Sequence, residues 1–246
     1  MIFLSVLLPL AACIPDPGSV FMTGTVYDAP NAVGSVVGEV SVRGLDGDGT
    51  TVDEQISDEG GAFTLELPAA AAFYVQTEGP TGQGYIPTAF SGQTGLDDFD
   101  AGMGFPWIAS PEWFTTMQSD WAGCPGAEAA GTAGSGVVVV GEVRLWLNIA
   151  DIDDMPLTPD ALIRVSPAQG DEVEACYHDS DGLYDSGATG TGTDGLFAVF
   201  GVASGGLAVS IEYTDTTETR RVVIYQYMAE DGGLVPIYPT FVYDGG

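Results

Sequence analysis

The sequence predicts an all-β chain: two antiparallel Greek-key β-sandwiches joined by a short aromatic helix and a Gly/Ala linker. Three observations carry this expectation. Short runs alternate apolar and polar residues, as in Phe63-Thr64-Leu65-Glu66-Leu67, the pattern of strands with one buried face. Gly/Asp clusters punctuate them, as in Gly44-Leu45-Asp46-Gly47-Asp48-Gly49, where tight connections need positive φ. Segments 58–77 and 194–213 resemble each other, so the chain reads as two copies of one domain. The expected boundaries are 20–98 for the first sandwich, 99–136 for helix and linker, and 137–246 for the second sandwich.

In the first sandwich, Val20 to Tyr27 and Val36 to Arg43 read as opening strands, with Val40 and Val42 alternating. Phe63 to Leu67 and Phe73 to Thr77 follow as neighbours. Ser110-Pro111-Glu112 then starts a helix with an N-cap serine, proline in the first turn and an early acid. Trp113, Met117 and Trp121 recur at helical spacing and form one stripe. That stripe suits either a helix packed on a sandwich edge or an aromatic binding face that includes Trp107. Gly123 to Gly136 is rich in small residues and reads as the linker. The second block repeats the grammar of the first: Val137 to Leu147, Ala161 to Val165, Gly195 to Phe200, Leu207 to Ile211 and Arg221 to Tyr227.

Charge separates this chain from most β proteins. Thirty-five Asp and Glu face five basic residues, for a formal net charge of −30. The basic residues are Arg43, Arg144, Arg164, Arg220 and Arg221, and the chain has no lysine. Such a surface repels phosphate backbones, which argues against nucleic acid as a partner. It collects cations and stays soluble where salt screens its self-repulsion. The absence of lysine also rules out a Lys–Asn isopeptide crosslink.

Catalytic chemistry is hard to assemble from these residues. There is one histidine, His178, and no Gly-x-Ser-x-Gly elbow. The glycine-rich run 187–195 is followed by no lysine that could hold a phosphate. Calcium has some local support, because Asp179, Asp181 and Asp185 surround a glycine turn and hard cations take several oxygens on such loops. Asp46/Asp48, Asp97/Asp98/Asp100 and Asp151/Asp153/Asp154 are looser clusters. In so acidic a chain, Asp-Gly is also ordinary turn chemistry.

The start of the chain suggests its address. Ile2 to Leu8 is a short apolar run closed by Leu10-Ala11-Ala12-Cys13, far short of the ~20 residues needed to span a bilayer. This resembles the lipobox of bacterial lipoproteins, although the leader carries no Lys or Arg. The resemblance implies a signal peptide over 1–12, acylation of Cys13, a Pro/Gly tether over 13–19 and attachment to an envelope membrane, the outer membrane in particular, facing the periplasm or exterior. Cys124 and Cys176 then remain as a pair in an oxidising compartment, where a disulfide is the expected state.

A second resemblance lies in the repeats. Thr193-Asp194-Gly195, Phe197, Val199, Val202, Gly205, Val209 and Ile211 resemble the carboxypeptidase regulatory-like, or transthyretin/prealbumin-like, β-sandwich family. Pro159 to Val165 resembles that family's preceding strand. The first copy departs from the motif: the run to Pro68 is one residue short, and Ala69 to Ala72 stand where a glycine is usual. The family implies a fold much more than a function. The combined expectation is a non-catalytic, lipid-anchored scaffold or recognition module with no required cofactor except a candidate calcium ion. The alternative is an accessory protein that binds glycan or peptide through Trp107, Trp113 and Trp121.

Overall fold

The computed structural model describes residues 18–28, 35–101, 106–146, 156–179 and 183–243. The leader, Cys13, the tether as far as Pro17, the 151–154 acids and Asp181 lie outside these residues. The fold is all-β with one α-helix among the described residues. The first part holds β1 (Ser19–Thr25), β2 (Tyr27–Asp28), β3 (Ser41–Asp46), β4 (Thr51–Ile56), β5 (Ala62–Pro68), β6 (Ala72–Glu78), β7 (Thr88–Gln93) and β8 (Phe99–Asp100). Then come β9 (Trp107–Ile108) and α1 (Pro111–Asp120). The last part holds β10 (Val137–Trp146), β11 (Leu162–Pro167), β12 (Val173–Glu174), β13 (Cys176–His178), β14 (Tyr184–Asp185), β15 (Leu196–Val202), β16 (Gly205–Thr214), β17 (Arg220–Ala229) and β18 (Leu234–Tyr243).

Sheet order shows that the internal repeat is a repeat of topology. The first sandwich packs β5-β1-β8 against β4-β3-β6-β7, and the second packs β15-β10-β18 against β12-β11-β16-β17. The strands correspond one to one in chain order: β1 with β10, β3 with β11, β4 with β12, β5 with β15, β6 with β16, β7 with β17 and β8 with β18. A short hairpin, β13–β14, extends the second copy beyond β15.

The pairing is not purely antiparallel as expected. In each copy the last strand runs parallel to the first, β8 beside β1 and β18 beside β10. Parallel neighbours need a long crossover, and here the rest of the sandwich supplies it.

Local chemistry is also shared between the copies. Gly61 and Gly195 both take positive φ just before β5 and β15, as the Asp-Gly turn requires. Two residues on, Phe63 and Phe197 lie across from Gly24 and Gly141. Both rings are buried, and each covers the bare backbone of its glycine. The extra residue in the second copy is absorbed by a register shift between Val137 and Val139 on β10.

The two copies share one sheet. β7 of the first meets β18 of the second through Thr88 and Leu234, which fuses unlike sheets into nine strands ordered β14-β13-β15-β10-β18-β7-β6-β3-β4. The sandwiches therefore lie on opposite faces of this sheet. On one face Val42, Phe73 and Val75 pack with Met22, Leu65 and Leu67. On the other Val139, Val143 and Phe197 pack with Ile163, Val209 and Ile211.

The segment expected to be a linker between domains has a different role. Gly123 to Gly136 folds as consecutive turns with a 3₁₀ turn at Ala127–Ala129, and Ala127 and Ala130 are buried. With α1 it forms a cap over Val138, Val140, Ala198 and Phe200. Small side chains let this backbone approach the sheet closely, so a composition that suits a linker serves packing here.

Candidate functional site

The cap gathers most of the residues that the sequence marked for function. α1 begins as expected: the Ser110 hydroxyl accepts from the Trp113 N–H at 3.3 Å, and Pro111 occupies the first turn. Its stripe faces the sheet. Trp121 and Phe114 are buried, while Trp113 and Met117 are half-buried. The rings form a chain of tilted edge contacts: Phe90–Trp107 at 5.9 Å, Trp107–Trp113 at 5.6 Å, Phe114–Trp121 at 5.7 Å and Trp121–Phe200 at 5.4 Å. Edge contacts at these separations stabilise a core beyond its area burial.

This placement corrects the stacking reading for two of the three tryptophans. Trp107 is 3% exposed and Trp121 0%, so neither offers a face to a sugar ring. Burial has a reason in each case. Trp107 lies on β9 beside β2, and its carbonyl accepts from the Thr88 hydroxyl at 2.5 Å. Trp121 closes the helix between Phe114 and Phe200, and its indole N–H has no hydrogen-bond partner among the described residues. Of these three, Trp113 alone is half-buried.

Cys124 and Cys176 are joined, with Cα atoms 5.9 Å apart. The bond ties the cap to β13, and both sulfurs belong to the aromatic core. It is the one covalent link between the 107–136 segment and the second sandwich, apart from the chain itself.

Next to it, β13 and β14 carry the candidate calcium loop. The Asp179 carboxylate accepts from the Leu183 N–H at 3.1 Å, and Asp185 accepts from the Gly187 N–H at 2.8 Å. Both therefore close local turns. Among the described residues no three His, Cys, Asp or Glu side chains form a group that could hold a metal. His178 pairs through Nδ1 with Asp194, and its ring lies 5.0 Å from Tyr184. Its carbonyl accepts from the Gly192 N–H, so the residue fastens β13 to the turn before β15.

The groove beside this hairpin measures about 290 Å³ and is lined by Ile163, Arg164, Glu174, Tyr177, Ala188 and Thr189. Here β12 is too short to cover β11. The Tyr177 hydroxyl stands in for the missing strand, accepting from the Ile163 N–H at 2.8 Å and donating to the Ile163 carbonyl. Burial pushes the Tyr177 hydroxyl above its ordinary pKa, keeping it a donor. None of the lining residues named here pairs a nucleophile with a base.

Electrostatics are one-signed at the surface. All five arginines are ion-paired: Arg43 with Glu230, Arg144 with Glu142, Arg164 with Glu172, Arg220 with Glu212 and Arg221 with Asp215. Asp215 has the strongest local environment. It accepts from the Thr217 hydroxyl, from Arg221 and from the Thr219 and Thr217 N–H groups, and these hold its carboxyl far below the ordinary range. It thereby pins the turn between β16 and β17.

No protein-family model matches the chain, and no curated protein matches it. Among solved structures, similarity covers 92% of this chain and 34% of the Bacillus anthracis TIE protein, with 14% identity and a TM-score of 0.27. The chain therefore spans about a third of that protein's length. Shaft pilin SpaA from Lactobacillus rhamnosus GG is similar over 93% of this chain and 98% of its own, with 10% identity and a TM-score of 0.27. GBS52, a minor pilin of Streptococcus agalactiae, is similar over 92% and 97%, with 11% identity and a TM-score of 0.27.

Proposed function

We propose that this chain is a non-catalytic protein of the cell envelope, anchored by lipid at Cys13, whose two sandwiches serve as a scaffold or recognition module. One observation carries the structural half of this reading: two copies of one topology are merged through a continuous nine-stranded sheet. The halves join through Thr88 and Leu234 and through the Gln76 side chain donating to the Met228 carbonyl, so both sandwiches present their loops from one folded unit. The shared topology and the twin glycine–phenylalanine pairs support the reading of two copies of one sandwich. The paired arginines leave an outward surface dominated by carboxylates, which suits cationic or neutral partners in a saline setting. The Leu10-Ala11-Ala12-Cys13 motif supports the anchor.

Detergent-phase partitioning of the natively produced protein tests the anchor. The native chain is expected in the detergent phase and Cys13→Ser in the aqueous phase. Equal partitioning of the two would overturn it. The alternative of glycan binding through the cap tryptophans is disfavoured by the burial of Trp107 and Trp121. Of the three, Trp113 is left to respond to an oligosaccharide panel by fluorescence.

A further inference from the structure

The two copies align residue by residue where β3 and β11 begin. Glu39 and Asp160 both take positive φ, and their N–H groups donate to the carbonyls of Ser57 and Thr191. The Ser57 hydroxyl accepts from the Val40 N–H at 3.0 Å, and the Thr191 hydroxyl accepts from the Ala161 N–H at 2.9 Å. Ser57 and Thr191 each precede the buried phenylalanine of the next strand, Phe63 or Phe197, by six residues. Val40 therefore corresponds to Ala161, Ser41 to Leu162 and Arg43 to Arg164. The strand partners of the two arginines, Glu54 and Glu174, correspond in turn.

Between these anchors the copies part. Two residues, Gln55 and Ile56, join Glu54 to Ser57, and they run beside Val42 and Ser41. Sixteen residues, 175–190, join Glu174 to Thr191, and they leave the edge of β11 to make β13 and β14. The place that Gln55 and Ile56 fill in the first copy is open in the second, and the groove of about 290 Å³ lies there. A strand cannot add in it. On that edge Ala161 is served by Thr191 and Ile163 by the Tyr177 hydroxyl, while Val165 is paired with Val173 on β12. What is left has room for a side chain, just below the range of small-molecule pockets, about 300–1,000 Å³.

The lining sets the kind of side chain. Leu162, Ala175 and Ala188 give apolar walls, and Tyr177 and Thr189 bring hydroxyls. In the first copy Glu54 accepts from the Ser41 hydroxyl at 2.9 Å. Its counterpart Glu174 has Leu162 in place of that serine. Among the described residues Glu174 has no hydrogen-bond or ion-pair partner, and Arg164, which also lines the groove, is paired with Glu172. The groove thus sets one unneutralised carboxylate beside an aliphatic slot.

We propose that this groove takes a lysine side chain from a basic partner, its methylenes along Leu162 and Ala188 and its ammonium on Glu174. A flexible stem carrying a compact charge with three donors matches apolar walls, one carboxylate and hydroxyl acceptors. The chain has no lysine of its own to fill the slot, and a net charge of −30 draws a basic partner in. This gives the recognition reading a partner class and rests on that reading, but not on the anchor at Cys13.

Amide chemical shifts of the isotope-labelled Cys13→Ser chain, titrated with N-acetyl-lysine methylamide at about 0.15 M salt, test the site. Saturable shifts are expected at 162–164, 174–177 and 187–189, and none from the norleucine analogue, which has the stem without the charge. Glu174→Gln should weaken binding by about fivefold, the upper end for an exposed ion pair. Its first-copy control, Glu54→Gln, should leave binding unchanged. Thr189→Trp should fill the groove and abolish the shifts; all three positions are exposed, so the fold is retained. Shifts spread over the acidic surface, or equal weakening by Glu174→Gln and Glu54→Gln, would show diffuse counter-ion attraction and overturn the proposal. An arginine analogue bound as tightly would overturn the choice of lysine. Failure here removes the groove as a lysine site, while detergent partitioning decides the anchor separately.

Discussion

Substituting alanine for Gly24 and for Gly141 asks whether the two sandwiches are built alike and where they differ. At Gly24 a new Cβ would stand 2.7 Å from the Phe63 ring tip and 2.8 Å from its neighbouring carbon. Ordinary carbon contacts are about 3.5–4.0 Å, so the ring must retreat by about 1 Å inside a packed core. Overpacking of this kind costs about 1–3 kcal/mol, offset by about 0.4–1 kcal/mol from a less flexible unfolded chain. A net loss of about 1–2 kcal/mol is expected. At Gly141 the Cβ would meet the Phe197 ring at 2.8 Å and the Ile237 carbonyl oxygen at 2.4 Å. That oxygen belongs to β18, which is paired along β10, so it cannot step aside cheaply. A loss of about 3 kcal/mol is expected there, at the upper end of overpacking costs. Urea unfolding of each variant, and of each combined with Phe→Leu at its partner, separates the two obstacles. Phe63→Leu should recover about 1 kcal/mol of the Gly24→Ala loss, while Phe197→Leu should recover little of the Gly141→Ala loss. A cost-free Gly24→Ala, or equal recovery at both sites, would refute this reasoning.

Three other perturbations have defined outcomes. Removing the Cys124–Cys176 bond by a double Cys→Ser change should lower stability by on the order of 4 kcal/mol, from the closed-loop length of 52 residues. It should also expose the cap tryptophans to quenchers; unchanged quenching would show that the cap holds without it. Asp215→Asn should destabilise at neutral pH. The native carboxyl is depressed, so its stabilisation is full above the ordinary carboxylate range near pH 4 and is lost as pH falls below it. The gap between native and variant melts should therefore shrink on acidification, and a gap that grew would contradict the assignment. Chelator should leave the melting temperature unchanged, because Asp179 and Asp185 already serve turn N–H groups. A fall abolished by Asp181→Ala would assign a cation to that loop.

The sequence was most legible where alternation and turn chemistry coincide. Phe63 to Leu67, Leu207 to Ile211 and the Asp-Gly turn before Phe197 each announce a buried face and a bend, and they carried the repeat. Strands lacking that signal were missed. β4 (Thr51–Ile56) is a terminal strand of its sheet, open to solvent along most of its length, so it needs no apolar face. β18 contains Pro236 and Pro239, which read as breakers. Yet Pro236 is in phase with Leu234, whose N–H points to β7, and the β7 pairing has ended by then. Pro239 lies in the register shift opposite Gly141 and Val143. For the candidate site, the cysteine pair was readable from the compartment and from the two cysteines left beside Cys13, and the helix cap from Ser110-Pro111-Glu112. The burial of Trp107 and Trp121 was not, because it depends on Phe90 and Phe200 arriving from distant strands.

The measurement that bears most directly on the envelope reading is the intact mass of the natively produced protein, with free thiols alkylated before reduction and again after. Loss of the first twelve residues, added acyl mass and two thiols appearing only on reduction are expected. An unprocessed chain with three free thiols would contradict both the anchor and the oxidising compartment.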